Sequence, residues 1–343
     1  MKFKLAPLRE LDEFKSFTDG FQNIVPPEVG DKIGEFSEES IGFPTLLSEV
    51  FSSFGDNRGS LVSFFLFTLG AVMLCSLSSL CTEKMKRAAE YATTAVGAVF
   101  IFTKIRPAVT LVTSSVGDVL NFSASFIPII TGVIAYGGGT SSAAVGAAGA
   151  NMTLGIMGAF VLPLLNGCVS LVFALGLVGA VGADGTVGLA KRVKSFFTWV
   201  MGIASTMLLS SLALQSAIAS SSDNAVIRAA KYAAQGAIPI VGGSVSSAMG
   251  TLVCGAGYIK TVIGGAALTV ILVTVLSPLV LLLSYRFILS FGEGALEFLG
   301  ADFARRLFSS FKAALDALLA VTALTVTVLI IETAILMRSG VKV

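Results

Sequence analysis

From residue 60 onward the chain is a series of long apolar blocks broken by short basic, polar or glycine-rich stretches. A block of about 20 apolar residues is long enough to cross a bilayer as a helix, at 1.5 Å per residue. Residues 61–81 form the first block; Lys84, Lys86 and Arg87 follow it at once, whereas only Arg58 precedes it closely. Residues 88–102 form a shorter second block that ends near Lys104, Arg106 and Pro107. Cytoplasmic flanks carry the excess of Lys and Arg, so the N-terminus is expected outside the cytoplasm and residues 82–88 inside it. Lys104 and Arg106 would then lie outside, against that rule.

Beyond Pro107 the pattern repeats. Phe126-Ile127-Pro128-Ile129-Ile130-Thr131-Gly132 matches Ala237-Ile238-Pro239-Ile240-Val241-Gly242-Gly243. Each is followed by a Gly/Ser/Ala stretch, at 137–144 and at 242–248, then by a long apolar helix with one proline, Pro163 or Pro278. Next comes a basic pair, Lys191-Arg192 or Arg305-Arg306, and a closing apolar span, 196–218 or 313–337. Matching order at a near-constant offset is the mark of an internal repeat. Each Ile-Pro segment is expected to enter, turn at glycines and return, so the two units face the same way, with both basic loops inside. The stretch 291–303, with Glu293, Glu297 and Asp302, is too polar to span and reads as an interfacial helix.

Residues 1–59 differ from the rest: eleven acids against six bases, a net charge of −5. Leu5, Leu8, Leu11, Phe14, Phe17 and Phe21 make an apolar stripe at roughly helical spacing, which Pro26-Pro27 stops. Leu46, Leu47, Val50, Phe51 and Phe54 predict a second short amphipathic helix. No signal peptide is read, because an acidic stretch follows Lys2 and Lys4 in place of an apolar core. The organisation expected is an acidic, extracytoplasmic segment 1–59, two leading spans in 60–107, a first repeat 108–220 and a second 221–343. The fold class expected is an all-α polytopic integral membrane bundle with two tandem parallel repeats, each containing a Gly/Pro-broken hairpin.

Composition sharpens this. Of 343 residues 55% are hydrophobic and only 13% charged, about half the charge of a soluble domain. The net charge of +2 gives no basic field for nucleic acid. Histidine is absent, which removes the commonest general base and transition-metal ligand. Cys75, Cys81, Cys168 and Cys254 lie in or beside apolar blocks without C-x-x-C spacing, as buried small residues do. No metal, cofactor or catalytic residue is expected, and no phosphate-loop, nucleophile-elbow or zinc-protease motif occurs.

Two kinds of residue remain as candidates. Proline and glycine inside a span free backbone groups that lipid cannot satisfy, and transporters place binding sites at such breaks. Pro128, Gly137, Gly138, Gly139, Pro239, Gly242 and Gly243 are therefore candidates for a pore or gate; tight packing of small residues explains them equally well. Asp118, Asp316 and Glu332 are ionisable groups in or near spans and are functional suspects on that ground. Asp118 and Asp316 are expected near helix ends, within reach of water, and a structural role is the simpler account of all three. The basic stretches Lys191, Arg192, Lys194 and Arg305, Arg306 read as topology anchors or as a surface for a cytoplasmic ATPase.

The run Gln215-Ser216-Ala217-Ile218-Ala219, with Ala225-Val226-Ile227-Arg228-Ala229-Ala230-Lys231-Tyr232 and Gly236-Ala237-Ile238-Pro239-Ile240-Val241-Gly242-Gly243, resembles the central signature of the stage III sporulation protein AE family. The Leu162-Pro163-Leu164-Leu165 helix and its basic loop fit as well, and the resemblance covers roughly residues 60–340. It implies a multi-pass subunit in the mother-cell membrane that engulfs the forespore of an endospore-forming bacterium. Its partners would be the lipid bilayer and companion sporulation membrane proteins of a channel-like, secretion-like complex. Members of the family usually begin with a signal peptide, from which this chain departs. The alternative reading of the pattern is a stand-alone secondary transporter for a small solute. An intramembrane enzyme would need facing acids, for which Asp118 and Asp316 show no flanking motif.

Overall fold

A computed structural model describes residues 43–78, 83–180, 186–237 and 242–340. All their regular structure is helical: α1 (Phe43–Ser78), α2 (Glu83–Tyr136), α3 (Thr140–Ala180), α4 (Thr186–Ala237), α5 (Gly242–Phe298) and α6 (Asp302–Arg338). Each carries a stretch long and apolar enough to cross a membrane. The N-terminal stripe 5–21 lies outside the described residues, and the expected second amphipathic helix forms the first turns of α1.

Contacts between helices fix their directions. Ser60 meets Tyr285 and Phe65 meets Phe291, so α1 and α5 run parallel. Tyr91 packs on Phe303 and Gly97 abuts Leu307 near one end, while Ile134 abuts Gly340 at the other, so α2 and α6 run parallel. Arg286 meets Asp316 and Gly264 abuts Met337, which sets α5 against α6. Gly149 abuts Leu212, and Ser142 lies beside Asp223, which sets α3 against α4. The helices therefore alternate. One end of the bundle, the basic end, receives Lys84, Lys86 and Arg87, then Lys191, Arg192 and Lys194, then Arg305 and Arg306. The opposite end carries the α2–α3 turn and the C-terminus of α6, and is called the turn end below.

The core forms around α6, which packs against α2, α3, α4 and α5. Phe308, Phe311, Leu315, Leu318, Val321, Val328 and Leu329 are buried on it. The outer surface stays apolar: Leu66, Met73, Val99, Phe160, Trp199, Met207 and Phe287 are all exposed. Such a surface suits lipid, not water. Hydroxyl groups inside the bundle mostly bond back to the carbonyl one turn earlier, as Thr68, Thr131, Thr153, Thr325 and Thr333 do. That local bond lets a polar side chain sit among apolar neighbours without a distant partner.

Helix boundaries differ from those the sequence pattern predicts. α2 runs unbroken through Pro107 and Pro128, and α4 runs unbroken through the unit boundary at 220/221. A proline costs one helical hydrogen bond. Both rings of α2 point to its exposed side, while Ile105, Ala108, Phe126 and Ile127 on the inner side are buried against neighbours. Packing of that inner face holds the helix where local propensity would end it. The glycine-rich and proline-bearing helices of each unit likewise merge, into α3 and α5. The two basic stretches are helical turns near the starts of α4 and α6, not loops. The polar stretch 291–303 is the end of α5, a turn with Gly300 at φ +65°, and the first residues of α6. At 54 residues α2 measures about 81 Å, well beyond the ~30 Å hydrocarbon layer.

Candidate functional site at the glycine turn

The first glycine hairpin is a turn of three residues between α2 and α3. The amides of Gly137, Gly138 and Gly139 bond to the carbonyls of Val133, Ala135 and Ile134, closing α2. Gly138 has φ +86°, a left-handed backbone that glycine adopts without a steric penalty. The other two glycines are required by proximity. A Cβ on Gly137 would stand 2.8 Å from that of Ala256 on α5, and one on Gly139 would stand 3.1 Å from Cα of Gly340, just past α6. The turn is thus seated on α5 and on the end of α6.

A set of hydrogen bonds ties it further. Asp223, buried in α4, accepts the backbone N–H groups of Ser141 at 3.0 Å and Ser142 at 2.8 Å. Those are free donors in the first turn of α3, so the carboxylate caps that helix from a neighbouring one. Ser220 Oγ lies 3.3 Å from Ser142 Oγ and accepts the N–H of Gly340 at 3.1 Å. Ser216 and Ser339 share a hydroxyl–hydroxyl bond, and Lys260 on α5 donates to the carbonyl of Ser339. Four elements (the α2–α3 turn, α4, α5 and the end of α6) therefore meet in one polar knot at the turn end.

The sequence candidates divide over this frame. Gly137 and Gly139 are buried in the knot and Gly138 is half-buried beside Ile227. Pro128 lies on the exposed side of α2, two turns before the knot. Gly242 and Gly243 begin α5, and Pro239 lies outside the described residues. The second hairpin, α4–α5, extends beyond the knot: Gln235 donates to Ser246 at 3.1 Å, in helix ends that follow Asp223 and precede Ala256. Arg192 is exposed, Arg305 pairs with Asp302 at 3.5 Å, and Arg306 lies over the ring of Phe303. Asp118, expected near a helix end, lies within α2 on its exposed side. Asp316 lies well inside α6 and pairs with Arg286; Lys312 pairs with Glu293.

Asp223, Ser216, Ser220, Lys260 and Ser339 had not stood out in the sequence. For Ser220 and Asp223 the signal is the polar run Ser220-Ser221-Ser222-Asp223-Asn224 between apolar blocks, which reads as a linker; Ser216, Lys260 and Ser339 have no such signal. In a membrane chain such a run is also what an inward-facing helical patch looks like. Among the described residues no group of three or more Cys, Asp or Glu is placed to hold a metal ion.

A family model described as stage III sporulation protein AE matches residues 31–340, nearly the whole chain. No curated protein and no solved structure matches the chain.

Proposed function

Since this chain belongs to the stage III sporulation protein AE family, we propose that it is the membrane-embedded, non-catalytic subunit of a transenvelope channel or secretion-like complex used in endospore development. The match over residues 31–340 carries this reading, and six helices able to cross a membrane fit such a subunit. In it, the protein sits in the mother-cell membrane around the forespore and works by packing. Two tandem units, 108–220 and 221–343, present their glycine turns on the extracytoplasmic side, toward companion sporulation membrane proteins.

Two features support the assignment of surfaces. The first glycine turn is locked into the bundle by the knot, so Gly137, Gly138 and Gly139 act there as a seal. The α4–α5 hairpin, which contains Pro239, Gly242 and Gly243, projects past that seal and exposes Val226, Tyr232, Leu252 and Tyr258. That is the part placed to meet a partner or line a shared path. The basic end, with Lys191, Arg192, Lys194, Arg305 and Arg306, faces the cytoplasm in this orientation and would meet an ATPase if the complex uses one.

Purification from sporulating cells tests the reading. The chain is expected to bring down companion membrane proteins, and alone in liposomes to move no solute. Solute flux by the purified chain would instead make it a stand-alone transporter.

A further inference from the structure

Most hydroxyls within the bundle have a partner, but among the described residues five buried side chains have none: Ser310 and Thr322 on α6, Ser123 on α2, Ser205 on α4, and Glu332 on α6 with both its carboxylate oxygens. Ser123, Ser205 and Glu332 are 6%, 5% and 3% exposed. Buried polar groups in native proteins nearly always find a partner, so five orphans in one bundle call for an account, above all Glu332, the one among them that can carry a charge.

The register of Ser123 and Ser205 puts them at levels of the bundle neighbouring that of Glu332, on helices that both pack against α6. α2, α4 and α6 run parallel, and near the turn end Ile134 abuts Gly340 while Ser216 bonds Ser339. Ser123 and Ser205 each lie eleven residues before those contacts, three helical turns, so each returns to the side of its helix that faces α6. Both therefore sit about 16 Å toward the basic end. Glu332 lies seven residues before Ser339, two turns, on the same side of α6 and about 10 Å down. A helical side chain leans toward the helix N-terminus, here the basic end, which carries the Glu332 carboxyl toward the level of the two hydroxyls.

Among the described residues no side chain supplies a counter-charge at that depth. Glu332 is the sole ionisable residue in 317–337, and no Lys or Arg occurs in 107–136, 140–180, 195–222 or 261–285. The basic groups beyond each edge are engaged: Lys260 with the Ser339 carbonyl, Arg286 with Asp316. An unpaired charge inside a membrane bundle is costly and is a site by default. One positive charge balances one carboxylate, whereas a divalent ion would leave a net charge in lipid. Carboxylate and hydroxyl oxygens are hard ligands, suited to a hard ion. We propose that Ser123, Ser205 and Glu332 form a binding site for a small monovalent cation, sodium or lithium in size, inside the membrane bundle.

The test uses the purified full chain in detergent, melted in sodium, lithium, potassium or choline chloride at equal ionic strength. Wild type is expected to gain a few degrees in Tm in sodium or lithium over choline, rising with the logarithm of concentration as ligand linkage requires. Glu332→Gln should abolish the gain, and Ser205→Ala or Ser123→Ala should shift it to several-fold higher sodium. Equal Tm in all four salts, or an unchanged gain in Glu332→Gln, overturns the proposal. If Glu332→Gln does not fold, wild type still decides. Dicyclohexylcarbodiimide adds to a protonated carboxyl, and sodium should slow its addition at Glu332. Labelling at the same rate with and without sodium means that the carboxyl carries only its proton, and the site is not a cation site.

Discussion

The two halves of α6 solve the same problem differently. Toward the basic end its charges are met by charges from α5, Asp316 by Arg286 and Lys312 by Glu293. Aromatic rings fill the space beside them: Phe64 meets Tyr285 edge-on at 5.0 Å and Phe67 stacks on Phe100 at 4.0 Å. Toward the turn end the helix passes close glycines, with Glu332 unpaired and the Ser339 end tied to α4 by the Ser216 hydroxyl and to α5 by the Lys260 ammonium on a backbone carbonyl. Large side chains and ion pairs tolerate small shifts. Glycine contacts and backbone hydrogen bonds do not, because an added methyl has nowhere to go. The basic half, where Gly97 and Gly292 also pack close but against the side chains of Leu307, Thr68 and Phe308, is thus the more adaptable anchor, and the turn half, where Gly139 meets the backbone of Gly340, is where a precise arrangement is held.

Substitutions that separate the halves follow, in order of effect. Gly139→Val in the turn half pushes a side chain against the backbone of Gly340 and against Ile134. A loss of about 3 kcal/mol is expected from such overpacking, seen as a lower melting temperature together with loss of co-purifying partners. Asp223→Ala leaves two amides at the start of α3 without their acceptor. It should cost about 2 kcal/mol, as hydrogen bonds to charged groups do, with faster deuterium exchange confined to residues near 141–142. In the basic half, replacing the pair together, Arg286→Met with Asp316→Leu, should change stability by less than about 1 kcal/mol, since swapping an ion pair for apolar residues is often neutral. A larger loss than in Asp223→Ala would erase the contrast drawn here. Pro128→Ala is expected to have the smallest effect, under ~0.5 kcal/mol, because the ring lies on the exposed side of α2. If it abolished partner binding while leaving the melting temperature intact, the proline bend itself would be the functional element.

Much of this was legible in the sequence. Long apolar blocks announced helices able to cross a membrane, and Gly137-Gly138-Gly139 after an apolar run announced the α2–α3 turn. Helix continuity was not legible. Pro107 and Pro128 look like stops, and only the burial of Ile105, Ala108, Phe126 and Ile127 against other helices explains why they are not. Ser220-Ser221-Ser222-Asp223 looks like a linker because sequence shows its polarity but not that it faces a helix N-terminus. Lys104 seemed to mark a membrane edge, whereas its side chain lies over Phe100 within a continuing helix. What decides each case is a contact between residues distant in sequence, which periodicity does not encode.

The account rests on alternation: six helices that carry three basic clusters to one end and the glycine turn to the other. Single cysteines placed at Arg192, Arg305 and Thr140 in a chain without its native cysteines, probed in intact cells and inverted vesicles with a membrane-impermeant maleimide, test it most directly. Positions 192 and 305 are expected to react only from the cytoplasmic face and position 140 only from the other. Reaction of 192 and 305 from opposite faces would contradict the account.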